Sequence, residues 1–452
     1  MAKRIGLYWF TNDLRIQNNA ALAKANEECD ELLVVYLLDP KDLTANRYGF
    51  VSLGKNRLAF LAESLTDLAR SLKQLGQHLH VFQQSPVATI AQLITIYNID
   101  AVYRSESSGY YENQYWHMLK QQYSQLEFIE VATHTIFTSQ QLPYSLSEIP
   151  SVYTEFRKKL EPIIPAYTPI KIEQLKKAPS VSSRLLKPDF PDALNDQLNN
   201  KIQLSQSSKI AIGGETQATQ HLYQYFSSNH VSQYKISKNA INDINGSTKL
   251  SPWLANGCIS VHQILQEVDK YEDFHGKSES TTAIKFELLW REYFQWLAKT
   301  AGVKLFTLAG MRGKKPLTPY YAQRLRSWTH GTTPFPIVNA CVKQLNQTGY
   351  ISNTGRKILA SAMVNDLNLD WRFGAAYFEH QLLDYDVASN WCNWQNMAGV
   401  GVDPRTKLKL DLKEQQQLFD PSGDYVKYWK GETSVTTLAS LDTVDLADWP
   451  LD

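Results

Sequence analysis

Cysteine is scarce and scattered: Cys29, Cys258, Cys341 and Cys392 lie far apart and form no CxxC pair. That spacing suggests neither a disulfide framework nor a zinc site, so the four read as reduced thiols of a cytoplasmic protein. No apolar run reaches the roughly 18 residues that mark a membrane-spanning helix. The opening MAKRIGLYWFTNDLR turns polar too early for a secretory signal. Net charge is almost absent as well, with 46 Lys+Arg against 45 Asp+Glu in 452 residues. This excludes both charge-driven disorder and a uniformly basic nucleic-acid coat. Acidic residues are missing from one long stretch, Tyr293 to Asn365. Lys299, Lys304, Arg312, Lys314, Lys315, Arg324, Arg326, Lys343, Arg356 and Lys357 all fall inside it. A solvated helical surface normally mixes its signs, so this stretch is expected to carry a polyanion-binding face.

The first 135 residues alternate short β-rich runs with helical patterns. Strands are expected at Arg4 to Phe10, Glu31 to Leu38, His78 to Phe82, Ile99 to Tyr103 and Glu127 to Val131. Leu58, Leu61, Leu65, Leu68, Leu72 and Leu75 recur in steps of three and four, one face of an amphipathic helix. Strands separated by helices of this length predict a parallel, Rossmann-like sheet with right-handed crossovers. The first strand lacks the GxGxxG turn that would hold a dinucleotide there.

Eight of the eighteen prolines crowd residues 143 to 191, which predicts a long connector with a local helix at Tyr153 to Leu160. Beyond residue 214 the pattern turns all-α: Thr216 to Ser227, Val261 to Val268, Thr282 to Thr300, Phe335 to Thr348, Ile351 to Asn365 and Ala375 to Leu383. The expected division is an α/β domain at 1–135, a connector at 136–213, a helical domain at 214–430 and an acidic tail at 431–452.

The segment NGSTKLS, residues 245 to 251, places three hydroxyls and a lysine before Pro252 and a helical pattern. Hydroxyls, amides and a cation at a helix start suit a pyrophosphate, and equally an ordinary helix cap. Asp366, Asp370, Asp384 and Asp386 flank helices near Trp371, Trp391 and Trp394. Alone they read as caps and arginine partners; no histidine or metal-ligand spacing accompanies them. Together with Asn353, Arg356 and Asn390 they suit a flat, polar heterocycle better than a hydrolytic centre.

WFTNDLRIQNNAAL, STKLSPWLANGCIS, FELLWREYF, NTGRKILASAMVNDLNLDWR and LLDYDVASNWCNWQNMAG occur in that order over almost the whole chain. Their combination resembles the photolyase/cryptochrome family, and most closely its cryptochrome DASH branch. The resemblance implies an α/β antenna domain, a connector and an all-α domain that holds FAD. It implies that Ser247, Thr248, Lys249, Leu250 and Ser251 hold the pyrophosphate, and that Asn353, Arg356, Asp384 and Asp386 surround the flavin ring. Asn390 then faces flavin N5, with Tyr234, Glu287 and Arg291 completing the cofactor shell. Trp394 and Trp371 match the inner members of an electron-transfer chain. Its third tryptophan has no match, the stretch before Trp328 offering only Tyr320 and Tyr321. Glu287 and Trp290 match positions that contact a cyclobutane pyrimidine dimer, and Lys357, Asn396 and Arg405 fall on the expected DNA side. Asn396 stands where the family usually has a second aromatic, and Lys357 where it has Gln or Met. Glu106 and Glu112 are the candidates for holding an antenna, 5,10-methenyltetrahydrofolate.

The implied function is blue-light repair of pyrimidine dimers, chiefly in single-stranded DNA, by a monomer without membrane attachment. RNA is a further nucleic-acid partner to consider. A photosensory cryptochrome that signals without repair is the rival reading, and a light-independent nucleic-acid-binding flavoprotein the third.

Overall fold

The computed structural model describes residues 3–180, 192–199, 210–242, 245–318, 320–403, 409–432 and 437–438. Strands β1 (Ile5–Phe10), β2 (Glu31–Leu37), β3 (Leu79–Phe82), β4 (Ala101–Ser105) and β5 (Glu127–Val131) form one parallel sheet in the order β3-β2-β1-β4-β5. Helices α1 (Ala20–Glu28), α2 (Lys55–Gln74), α3 (Pro86–Tyr97) and α4 (Tyr110–Gln122) supply the crossovers. Both sheet faces are covered. Leu7, Trp9, Leu33 and Val35 pack with the α3 and α4 side, while Tyr8, Phe10, Leu32 and Val34 face the α1 and α2 side. That double burial explains the near-continuous apolar strands. Strand β4 begins and ends two residues later than the pattern predicted; Arg104 and Ser105 extend it, paired in the ladder and buried despite their polarity. Arg104 makes this affordable by donating to Glu130 Oε1 at 2.7 Å and to Asn113 Oδ1 at 2.7 Å.

Helices α5 (Tyr153–Leu160) and α6 (Asp192–Asn199) lie in the connector. The helical domain follows: α7 (Glu215–Phe226), α8 (His230–Ser237), α9 (Ser251–Ala255), α10 (Val261–His275), α11 (Glu279–Ala301), α12 (Ala322–His330), α13 (Pro336–Thr348), α14 (Asn353–Ser361), α15 (Trp371–Gln381), α16 (Val387–Ala398), α17 (Leu412–Phe419) and α18 (Asp424–Tyr428). The helix expected over Ile351 to Asn365 divides into α14 and a π-helical turn, Ala362–Asp366. Helix α15 starts earlier than expected, capped by Asp370, whose carboxylate accepts from Arg372 N.

Buried polar groups join the two domains. Arg15, 1% exposed, donates to the carbonyls of Asn18, Thr133 and Gly257. Glu215, at the start of α7, accepts from the amides of Ile16 and Gln17. Gly257 must stay glycine: its φ is +68°, and a Cβ there would lie 1.7 Å from the Asn12 carbonyl oxygen. Glu292 of α11, fully buried, accepts from Ile136 N, Phe137 N and Trp296 Nε1. Burial pushes its carboxyl up to about 6 even with these donors.

Candidate flavin site and interdomain cavity

The loop before α9 is held from outside. His221 Nε2 bonds the Thr248 carbonyl at 2.7 Å, and Ser237 Oγ donates to the Gly246 carbonyl at 2.8 Å. Lys249 occupies the left-handed region at φ +53°, and its ammonium sits 4.8 Å from the centroid of the Tyr350 ring. Helix α9 has only five residues, so the helix-start contribution expected here is small. Leu250 is buried and anchors the segment.

Asp384, between α15 and α16, is the organising group. Its Oδ2 accepts from Ser251 Oγ at 2.6 Å and from Arg356 Nη2 at 2.7 Å. Arg356 is fixed further by Nε donating to the Ile351 carbonyl at 3.0 Å. The carboxylate is 4% exposed, and its second oxygen, Oδ1, is buried without a partner. A buried, arginine-held carboxylate with one vacant acceptor fits an N–H of a flat heterocycle such as the flavin ring. Asn390 is 8% exposed; its amide nitrogen donates to the Ala375 carbonyl at 3.0 Å, leaving its carbonyl oxygen for another donor.

Not every expected residue joins this set. Asp386 does not bond Arg356. It caps α16 by accepting from Ser389 N at 2.7 Å, and Gln295 Nε2 donates to both of its oxygens at 2.8 Å. Arg291 points its guanidinium at the His134 carbonyl, at the end of the α/β domain. Asn353, the first residue of α14, is exposed. Tyr234 is buried on α8, within electrostatic reach of Glu287 and Tyr350. Glu287 is exposed and paired with Lys238 at 2.6 Å. One turn on, Trp290 is half-buried against Tyr153, ring centroids 3.9 Å apart. Lys357 is exposed, Asn396 half-buried, and Arg405 lies outside the described residues.

The basic stretch also divides. Lys299 is paired with Glu106 at 2.5 Å, Arg356 with Asp384, and Lys343 donates to the Lys430 carbonyl. Lys304, Arg312, Lys314, Lys315, Arg326 and Lys357 are the exposed members. The polyanion-facing surface is therefore smaller than charge counting implied.

Trp394, 2% exposed, packs edge-on to Phe378 at 5.0 Å and Trp328 at 6.3 Å. It lies over Gly374, where a Cβ would come within 2.2 Å of its ring, one turn from Trp371 on α15. Trp371 is edge-on to Trp391 at 5.8 Å. Trp328 is fully buried and donates to the Leu359 carbonyl, so it has no route to solvent. Tyr320 is 62% exposed and packs on Phe373 at 5.2 Å, which meets Tyr48 at 5.2 Å and through it Trp391 at 6.5 Å.

A cavity of about 710 Å³ opens between the sheet and the helical domain. Glu106 and Glu112 line it with Asp39, Asp42, Arg57, Glu379, Tyr385, Asp386 and Trp391. Burial pushes Asp42 up to about 6, with Asp39 adding repulsion. Burial likewise pushes Glu379 up to about 7; Arg57 opposes the rise, while Asp42 and Glu112 add to it. Burial also raises Glu112. The sequence reading did not reach Glu379, Tyr385 or Gln295. The one local signal was for Gln295, a lone amide between apolar residues in YFQWLA.

Two family models match the chain. "DNA photolyase" covers residues 6–176, and "FAD binding domain of DNA photolyase" covers residues 284–445. Cryptochrome DASH of Idiomarina loihiensis is 41% identical over 99% of this chain and 97% of its own length. Cryptochrome DASH of Vibrio parahaemolyticus is 40% identical over 100% and 98%. The chain belongs to the cryptochrome DASH branch of the photolyase/cryptochrome family. The solved Synechocystis sp. PCC6803 cryptochrome superposes with a TM-score of 0.87 at 33% identity, covering 95% of this chain and 89% of that one. As in its family, the helical domain of this cryptochrome is an FAD-binding domain, and FAD is its cofactor. Among the described residues no helix is long and apolar enough to cross a membrane.

Proposed function

We propose that this flavoprotein reverses cyclobutane pyrimidine dimers under blue light, in single-stranded DNA. The observation that carries the reading is the vacant, buried Oδ1 of Asp384, set beside Ser251 and Arg356 and linked through Tyr350 and Tyr234 to the Glu287 and Trp290 face. Bound FAD supplies light absorption and one-electron transfer. The chain's part is to bind, orient and exclude water. Residues 247 to 251 receive the pyrophosphate; Asp384 accepts from the ring, and Arg356 holds that carboxylate in place. Asn390 offers N5 a neutral amide, which tolerates an anionic ring where a carboxylate would repel it. Trp394 and Trp371 pass electrons inward. Asn353, Asp386 and Arg291 act at the edge of the pocket, in keeping with the exposure of Asn353 and the bonds that the other two make elsewhere.

Glu287 supplies an acceptor to the lesion and Trp290 a stacking face, while Lys357, Asn396 and Arg405 meet the strand. Moving a dimer out of a duplex stack costs a few kcal/mol, and far less in a single strand. A second stacking aromatic would return about 1 to 3 kcal/mol, and Asn396 cannot supply it. The exposed lysines and arginines hold damaged and undamaged strands alike and weaken with salt. The protein works as a monomer, and RNA strands compete through the same phosphate contacts.

The interdomain cavity is the antenna site, where Glu106 and Glu112 accept from the amino and ring N–H groups of 5,10-methenyltetrahydrofolate. Repair of one defined thymine dimer, in single and double strands at matched salt and saturating protein, tests the main reading. Repair confined to the single strand supports it; equal or faster duplex repair overturns it. Light-driven reduction with no repair in either form assigns the sensor instead.

A further inference from the structure

The electron-transfer chain of this protein has lost its usual exit, since the third tryptophan has no counterpart and Trp328 is sealed in the core. A buried tryptophan that gives up an electron can hold the resulting charge only briefly unless its indole proton also leaves. Trp391 has somewhere to send it. Its ring is 5.8 Å from Trp371, and its Nε1 donates to the Tyr385 hydroxyl at 3.2 Å. Tyr385 and Glu379 line the same cavity, and the Tyr385 hydroxyl favours the ionised form of the Glu379 carboxylate. This arrangement occupies the floor of the interdomain cavity.

We infer that Trp391, Tyr385 and Glu379 form a proton-coupled branch of the electron-transfer chain, ending at the interdomain cavity. The inference rests on the flavoprotein reading above, with photoexcited oxidised flavin as the oxidant. One electron passes from Trp394 to the flavin and is replaced from Trp371, which is replaced from Trp391. The Trp391 Nε1–H bond then breaks, and its proton goes to the Tyr385 oxygen. The Tyr385 O–H bond breaks in the same transfer, and that proton bonds to Glu379. One electron ends on the flavin, Trp391 is a neutral radical, Glu379 is protonated and Tyr385 is unchanged.

Charge placement explains why the electron vacancy stops at Trp391. The Arg57 guanidinium lies 4.5 Å from the Tyr385 ring centroid, and that of Arg47 lies 5.0 Å from the Tyr48 centroid. A cation radical on either tyrosine is therefore opposed, whereas a neutral radical on Trp391 meets no such penalty. Glu379 faces Arg57 of α2, Asp42, Glu112 of α4 and Tyr385. Burial, with the two carboxyls adding to it and Arg57 opposing it, raises its proton affinity into the neutral range, where it accepts a proton yet starts ionised under mildly alkaline conditions.

Transient absorption of the FAD-loaded protein tests the branch at about pH 5.5 and pH 8.5. In the wild type, the neutral-tryptophanyl signal should outlast its acidic counterpart by at least about tenfold at the higher pH, where Glu379 is free to accept. Glu379→Gln should shorten it at both values and abolish the pH dependence. Trp391→Phe should remove most of the long-lived signal, and Tyr385→Phe should reproduce Glu379→Gln without touching the carboxylate. Infrared titration in the dark should show a carboxyl band vanishing near neutral pH that Glu379→Gln lacks. Unchanged lifetimes in Glu379→Gln and Trp391→Phe, with FAD content and circular dichroism retained, overturn the branch. Failure of the wild type itself to bind FAD is a different result and sinks the flavoprotein reading.

Discussion

Asp384→Asn is the most discriminating single change in the flavin site. The substitution keeps shape and removes charge, so the Ser251 bond can persist while Arg356 loses its counterion. Breaking a buried ion pair costs about 3 to 5 kcal/mol when both groups are fully enclosed. Here Asp384 is 4% exposed and Arg356 25% exposed, so part of the arginine charge stays solvated. Arg356 also keeps its bond to the Ile351 carbonyl. We expect a loss of about 2 to 3 kcal/mol, below the fully buried range because of that residual solvation and bond. At about 2 to 4 °C per kcal/mol this lowers the melting midpoint by roughly 4 to 12 °C. FAD content should fall much further than stability, because the vacant Oδ1 is lost as an obligate acceptor and its replacement can present an N–H. The measurements are thermal unfolding of the FAD-free protein and released FAD per chain. A double-mutant cycle with Arg356→Met isolates the pair. Coupling below about 0.5 kcal/mol, or full FAD retention in Asp384→Asn, would refute the assignment of this carboxylate as organiser.

Three further outcomes follow from other parts of the structure. Glu379→Gln should stabilise the protein at pH 8 and change little at pH 4. The native carboxyl titrates near 7, above its unfolded value, so the folded state holds the proton more tightly and wild-type stability falls as pH rises through this window. Parallel unfolding curves of the two proteins at both pH values check the sign. Gly374→Ala should cost about 1 to 3 kcal/mol, since its methyl group would enter the Trp394 ring and Met363 Sδ; an unaltered melting midpoint and unaltered tryptophan emission would contradict the packing. Trp394→Phe should leave FAD bound and suppress light-driven flavin reduction, because phenylalanine keeps the packing but is a far poorer electron donor. Reduction at the wild-type rate, with the same external reductant, would show that electrons enter elsewhere.

Sequence alone determined the elements whose evidence is periodic and local. The leucines from Leu58 to Leu72 are buried along α2, and the β-rich runs at 5–10, 31–37 and 127–131 are parallel strands. In each case side-chain direction repeats along the backbone, so the pattern needs no distant partner to be read. The motif set around Ser251, Arg356 and Asp384 was legible for a different reason: its segments resemble those of a known family, whereas the aspartates alone read equally as helix caps and arginine partners. What only the tertiary structure decided was which partner each charged or aromatic group takes across the fold. Lys299 looked like part of a nucleic-acid face until packing set it against Glu106, 193 positions away. Asp384 and Asp386 are two residues apart and equally acidic, yet one meets Arg356 and the other Gln295, because the first precedes α16 and the second caps it. Glu379 carried no local signal at all. Its proton affinity arises first from burial, opposed by Arg57 and reinforced by Asp42 and Glu112, which reach it from the other domain only after the sheet and the helices have closed over the cavity.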